Sequence, residues 1–165
     1  MLAEGEGAWG DVELPAGKRT LKLAYSGALQ GFPALERSRA VSAVWTFPSQ
    51  HVDEEDEDGA LQPLLSLDLD LALDEFNRAK AGSITKTAVT ATAAGKPVRL
   101  TALTYETSSD GGKTWRKATI NRSGDGYTAT VHEWAKKSFV DLRITAKAVG
   151  GLSVTETVSQ AYALK

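Results

Sequence analysis

The 165-residue sequence predicts an all-β protein, and three observations carry that prediction. Apolar residues recur at every second position in several short runs, the alternation that turns one face of a strand to a core and the other to water. Clusters of Gly, Pro, Asn and Asp punctuate those runs at regular intervals, as tight turns between strands require. The runs themselves are rich in Thr, Val, Ile and aromatic residues, which suit a pleated surface. The expected architecture is two β-sandwich units. A truncated one occupies residues 1–50, an acidic linker spans 51–60, and an immunoglobulin-like or fibronectin III-like sandwich of about seven strands fills 61–165.

In the first segment, Ala8 to Leu14 reads as a strand ended by the turn signal Pro15-Ala16-Gly17. Arg19 to Tyr25 then alternates, with Arg19, Leu21, Leu23 and Tyr25 on one face, which predicts a half-buried strand. A Gly- and Pro-containing loop from Ser26 to Pro33 leads to a third strand, Arg39 to Phe47, stopped at Pro48. Three strands do not close a core alone, so the segment is expected to be the remainder of a β-domain or to pack against the second unit. The run Asp53-Glu54-Glu55-Asp56-Glu57-Asp58 repels itself and buries nothing, which predicts a linker. Its contiguous carboxylates lack the spaced ligands and turn glycine of a dedicated calcium site.

The second segment opens with Leu65, Leu67, Leu69, Leu71 and Leu73 at period two, facing away from Asp68, Asp70 and Asp74. Further strands are expected at Ile84–Thr92, Val98–Thr107, Trp115–Ile120, Tyr127–Val131, Phe139–Ala148 and Leu152–Leu164, each bounded by a turn signal. In Phe139–Ala148, Val140, Leu142, Ile144, Ala146 and Ala148 oppose Asp141, Arg143, Thr145 and Lys147. The neighbourhood of Trp134 is the one place where a helical turn is expected.

Composition narrows the chemistry. The absence of cysteine excludes disulfides and thiolate metal sites, and no apolar run approaches the roughly 20 residues that span a bilayer, so no membrane partner is expected. Residues 51–75 carry ten acidic and no basic side chains, whereas 76–165 carry fourteen basic and six acidic. An acidic connector beside a mildly basic domain accounts for this, and no nucleic-acid partner is inferred. Gly5-Glu6-Gly7-Ala8-Trp9-Gly10 fits the dinucleotide pattern, but no strand precedes it and no helix follows, so it reads as a loop. His51 and His132 each lack a second histidine or a nucleophilic serine at working spacing. No catalytic residue, metal ligand or cofactor site is assigned. The tryptophans Trp9, Trp45, Trp115 and Trp134 are expected to be core anchors, the alternative being a carbohydrate-stacking platform.

The sharpest local pattern is Ser108, Asp110, Gly112, Thr114 and Trp115, within Ser108-Ser109-Asp110-Gly111-Gly112-Lys113-Thr114-Trp115. Asp110 offers a short acceptor to turn amides and the two glycines tolerate positive φ, so these five residues are expected to form a structural hairpin. The pattern resembles the Asp-box, a structural hairpin of sialidase propellers and other β-folds, but a single copy does not build a propeller.

Around it, YETSSDGGKTW at 105–115, the strand Ser138–Ala148 and the closing Glu156–Tyr162 resemble the β-sandwich region that follows the catalytic domain in large secreted subtilisin-like serine proteases of actinobacteria, peptidase family S8. There a "SYDDG-TW" hairpin, a "VSLRATA" strand and a final "RAY" recur in this order. Glu13-Leu14-Pro15-Ala16-Gly17 and Val44-Trp45-Thr46-Phe47 resemble the family's "LPAG" turn and "AWTF" strand. Gly150-Gly151 and the acidic linker depart from it. The resemblance implies an extracellular, non-catalytic accessory region whose partner is the catalytic domain of the same parent chain. It would act as support, spacer or exosite for protein substrate, since no "GTSMA" serine segment or "HGT" histidine segment is present. The alternative is a module binding carbohydrate or cell-wall polymer.

Overall fold

Twelve strands form two sheets, antiparallel but for one short parallel pair, in the computed structural model, which describes residues 17–29, 38–49 and 61–165. They are β1 (Arg19–Ala28), β2 (Ala40–Ser49), β3 (Leu65–Asp70), β4 (Arg78–Ala79), β5 (Ile84–Ala93), β6 (Lys96–Pro97), β7 (Leu100–Ser108), β8 (Arg116–Lys117), β9 (Thr119–Ser123), β10 (Gly126–His132), β11 (Phe139–Ala148) and β12 (Ser153–Leu164). A short 3-10 turn at Val149–Gly151, with Gly150 at φ 79°, links β11 to β12. The sequence places a strand over each long element of the second segment, except that the expected strand Trp115–Ile120 divides between β8 in one sheet and β9 in the other, and β9 continues to Ser123. The backbone near Trp134 is bend rather than helix.

One sheet runs β3-β5-β10-β9 and the other β1-β2-β12-β11-β7-β8. With β1 and β2 set aside, the order is that of an immunoglobulin-like sandwich, four strands facing three with a short extra edge strand. Val89 and Ala91 of β5, Ala129 and Val131 of β10, and Ile144 and Ala146 of β11 alternate inward and are buried. That is the period-two pattern read from the sequence, now facing a shared core.

The two segments share one sheet. Strand β2 pairs with β12 from Ser153↔Thr46 to Ser159↔Ala40, and β1 pairs along the whole of β2. Phe47 enters the same core cluster as Leu65, Val89 and Ile144, and Trp45 Nε1 donates to the Leu65 carbonyl across the layers at 3.0 Å. Of the two arrangements open to residues 1–50, a partial sandwich of their own or packing against the second unit, the described residues adopt the second. Pairing is what a two-stranded ribbon needs, because alone it is at best marginal in water. The strand expected at Ala8–Leu14 and the acidic linker at 51–60 lie outside the described residues.

Three expectations are corrected. Strand β1 is not half-buried: its odd-numbered residues share the core-facing side of the sheet, but Leu23 is 44% and Tyr25 50% exposed, because the four-stranded sheet does not extend over them. Strand β3 ends at Asp70, and Asp74 opens the turn that follows, its carbonyl accepting the Asn77 amide at 2.9 Å. Asp74 Oδ1 accepts the Phe76 and Arg78 amides at 2.9 Å, and Oδ2 meets Lys165 Nζ at 2.6 Å and Arg78 Nε at 3.2 Å. The Lys165 ammonium is the chief cause that holds this carboxyl well below the usual range. Asp141, assigned to the polar face of β11, is 6% exposed and accepts the Gln160 amide at 2.8 Å.

Candidate functional site

Two polar constellations stand out. The first is the hairpin between β7 and β8, where all five sequence-predicted residues come together. Ser108 ends β7 fully buried; its hydroxyl donates to Asp110 Oδ1 at 2.8 Å and accepts the Gly112 amide at 2.9 Å. Asp110 Oδ1 also accepts the Lys113 and Thr114 amides at 3.0 and 2.9 Å, and Oδ2 accepts the Thr114 hydroxyl at 2.6 Å. These donors, the Thr114 hydroxyl first, lower the Asp110 carboxyl to about 2. Gly111 and Gly112 take φ of 72° and 80°, where a side chain would be strained. Trp115 Nε1 donates to the Gly112 carbonyl at 2.9 Å. The Arg143 guanidinium lies 4.2 Å from the Trp115 ring centre and is itself bonded to Glu106 Oε2 at 2.8 Å.

Both Asp110 oxygens and the Ser108 hydroxyl thus serve their own loop. The chemistry this arrangement performs is conformational: one carboxylate fixes a reversal of the chain. Among the described residues, no group of three or more His, Asp or Glu is placed to hold a metal ion.

The second constellation is interior, and sequence reasoning did not single it out. Glu133 follows β10 and is 6% exposed. Its carboxylate accepts the Thr85 hydroxyl at 2.7 Å and the Tyr162 hydroxyl at 3.0 Å, while its amide donates to the Ser83 carbonyl at 2.9 Å. A small cavity beside it, walled by Leu71, Leu73, Thr87 and Tyr105, has room for about one water molecule. Burial pushes the Glu133 carboxyl up, its two hydroxyl donors opposing. Burial also raises Tyr105 to about 12 and Tyr162 further, the Glu133 charge adding to both. The signal was in the alternation: Ala129 and Val131 point inward, so one more step of two carries Glu133 inward as well.

The described tryptophans are engaged. Trp45 bonds the Leu65 carbonyl, Trp115 lies under Arg143, and the Arg116 guanidinium covers Trp134 at 3.8 Å from the ring centre. Trp9 and His51 lie outside the described residues, and His132 is exposed. No family model, curated protein or solved structure matches the chain.

Two pH-dependent outcomes follow from opposite shifts. Glu133 binds its proton more tightly folded than unfolded, so its contribution to stability is full below the unfolded value of about 4.3 and is lost as pH rises through the raised folded value. Glu133→Gln keeps donors and acceptors without the charge. Its Tm relative to the parent should climb between pH 4 and pH 8, reaching a gain of about 2–4 °C; a difference flat with pH contradicts the buried-charge assignment. Asp110 is the reverse: its contribution is present above about 3.9 and is lost as pH falls through about 2. Asp110→Ala should lower Tm by about 2–4 °C at pH 7, the deficit shrinking toward pH 2 in the same calorimetric series.

Proposed function

We propose that this chain is a non-catalytic accessory β-sandwich region of a secreted subtilisin-like serine protease, serving as structural support or spacer for the catalytic domain of the parent chain. The observation that carries this reading is the use to which the acid and hydroxyl groups are put. Thr85 and Tyr162 each donate to the buried Glu133 carboxylate, beside a cavity with room for about one water molecule. Substrate chemistry needs groups within reach of a reacting atom, and these groups join β5, the end of β10 and β12 instead. Asp110 and Ser108 likewise close their own hairpin. The resemblance of 105–115, 138–148 and 156–162 to the protease-associated region supplies the extracellular setting.

A carbohydrate or cell-wall polymer module is the second reading. It asks for two coplanar exposed aromatic rings. The three described tryptophans are occupied as above, leaving Tyr25 and Phe76, among the described residues, as the aromatic side chains that stand half or more exposed. Phe76 carries Arg78 over its ring at 4.7 Å.

The accessory reading predicts that the purified chain turns over neither casein nor chromogenic peptides. Hydrolysis that copurifies with the chain through successive columns and is abolished by a serine-directed reagent would overturn it.

A further inference from the structure

Glu133 carries a buried charge that no cation among the described residues offsets: none of their ion pairs includes it. Acidic side chains are almost never buried to this degree without a cationic partner. The elements packed against it bring no base. Thr85 and Thr87 come from β5, Tyr105 from β7 and Tyr162 from β12, and Leu71 to Leu73 close the remaining wall with apolar side chains. Beside Glu133 in the fold, the Arg116 guanidinium turns instead to the His132 carbonyl at 3.2 Å and to the Trp134 ring, and Lys165 bonds Asp74.

The hydrogen-bond inventory decides what the cavity beside it can take. The Thr85 and Tyr162 hydroxyls give their hydrogens to the Glu133 carboxylate, at 2.7 and 3.0 Å, so each keeps only lone pairs. The carboxylate has acceptor capacity to spare, and Tyr105 and Thr87 bring further hydroxyl oxygens to the lining. A space bounded in this way suits an occupant that is positive, oxygen-seeking and no larger than a water molecule. A divalent ion such as calcium asks for about six or more oxygens and would leave one positive charge unbalanced. We propose that the cavity binds a single dehydrated sodium ion, held by the Glu133 carboxylate and the hydroxyls of Thr85, Thr87, Tyr105 and Tyr162. The ion neutralises the buried charge and ties β5, β7 and β12 to the end of β10. A proton on Glu133 is the competing occupant, favoured as pH falls because burial raises this carboxyl.

Sodium binds only the ionised carboxylate, so its effect is present at high pH and is lost as pH falls through the raised Glu133 value. Thermal melts of the full chain in sodium chloride, with choline chloride holding the ionic strength constant, read it. At about pH 8 a tenfold rise in sodium, from about 30 to about 300 mM, should raise Tm by about 2–4 °C, and at about pH 4 by less than ~1 °C. Glu133→Gln removes the charge and should abolish the sodium dependence; its Tm advantage over the parent at about pH 8 should be smaller in sodium than in choline. Thr87→Val removes one lining oxygen and no charge, and should move the sodium response to about tenfold higher concentration. Broadening of the sodium NMR line by the parent, absent with Glu133→Gln, reads the same binding without a melt. A Tm indifferent to the choice of sodium or choline overturns the proposal, even where Glu133→Gln still gains with pH, since that gain then reports a buried charge with no cation upon it. So does a sodium response that survives Glu133→Gln, is untouched by Thr87→Val, or is as large at about pH 4 as at about pH 8.

Discussion

Gln160, held at φ 53° in the middle of β12, is the constraint on which the rest of the structure turns. A non-glycine residue in that conformation is costly unless its surroundings hold it there. Here the buried Asp141 carboxylate accepts its amide at 2.8 Å, and its carbonyl accepts the Ser38 amide at 2.8 Å. The register between β11 and β12 slips at this point, from Val140↔Tyr162 to Leu142↔Val158, so β12 gains residues its neighbour lacks. Such a bulge re-aims the strand. Before it, β12 runs beside β2; beyond it, Ala163 and Leu164 pair in parallel with Arg78 and Ala79 of β4.

Two polar contacts at the far end depend on that redirection. Tyr162, two residues past the kink, reaches Glu133, and Lys165 reaches Asp74. Val140, Tyr162, Leu164 and Ala79 form a small second core there, apart from the main one between the sheets. At the near end, the same strand accepts β2 along its free side and brings Phe47 into the main core. A buried carboxylate is expensive in isolation, and Asp141 illustrates what makes it tolerable: a fixed backbone donor that would otherwise be unsatisfied.

The alternation in the sequence was enough to place every long strand of the second segment, save the division of β8 from β9, and the paired sheets they form, because one buried face per strand leaves a period-two imprint. The hairpin at Asp110 was legible for a related reason: its bonds run between residues at most four apart, so local chemistry decides them. What escaped was settled by distant partners. Asp141 reads as polar face and Glu133 draws no notice, because their donors on Gln160 and Tyr162 come from 19 and 29 residues away. The exposure of Leu23 and Tyr25 was hidden because alternation reports which side of a sheet a residue takes, and not whether a second layer covers it. The joining of β2 to β12 was likewise open, since pairing across more than a hundred residues leaves no local signature.

Residues 40–49 and 153–164 therefore belong to one hydrogen-bonded sheet and one cooperative unit. Native-state hydrogen exchange with single-residue resolution addresses this most directly. If the two segments form a single unit, the slowest amides of β2, such as those near Trp45 and Phe47, exchange with the same opening free energy as those of β11 and β12, and with the same denaturant dependence. Amides of β1 and β2 that open together at low cost while β12 keeps its protection would show that the first segment is a separate body, and would contradict the account.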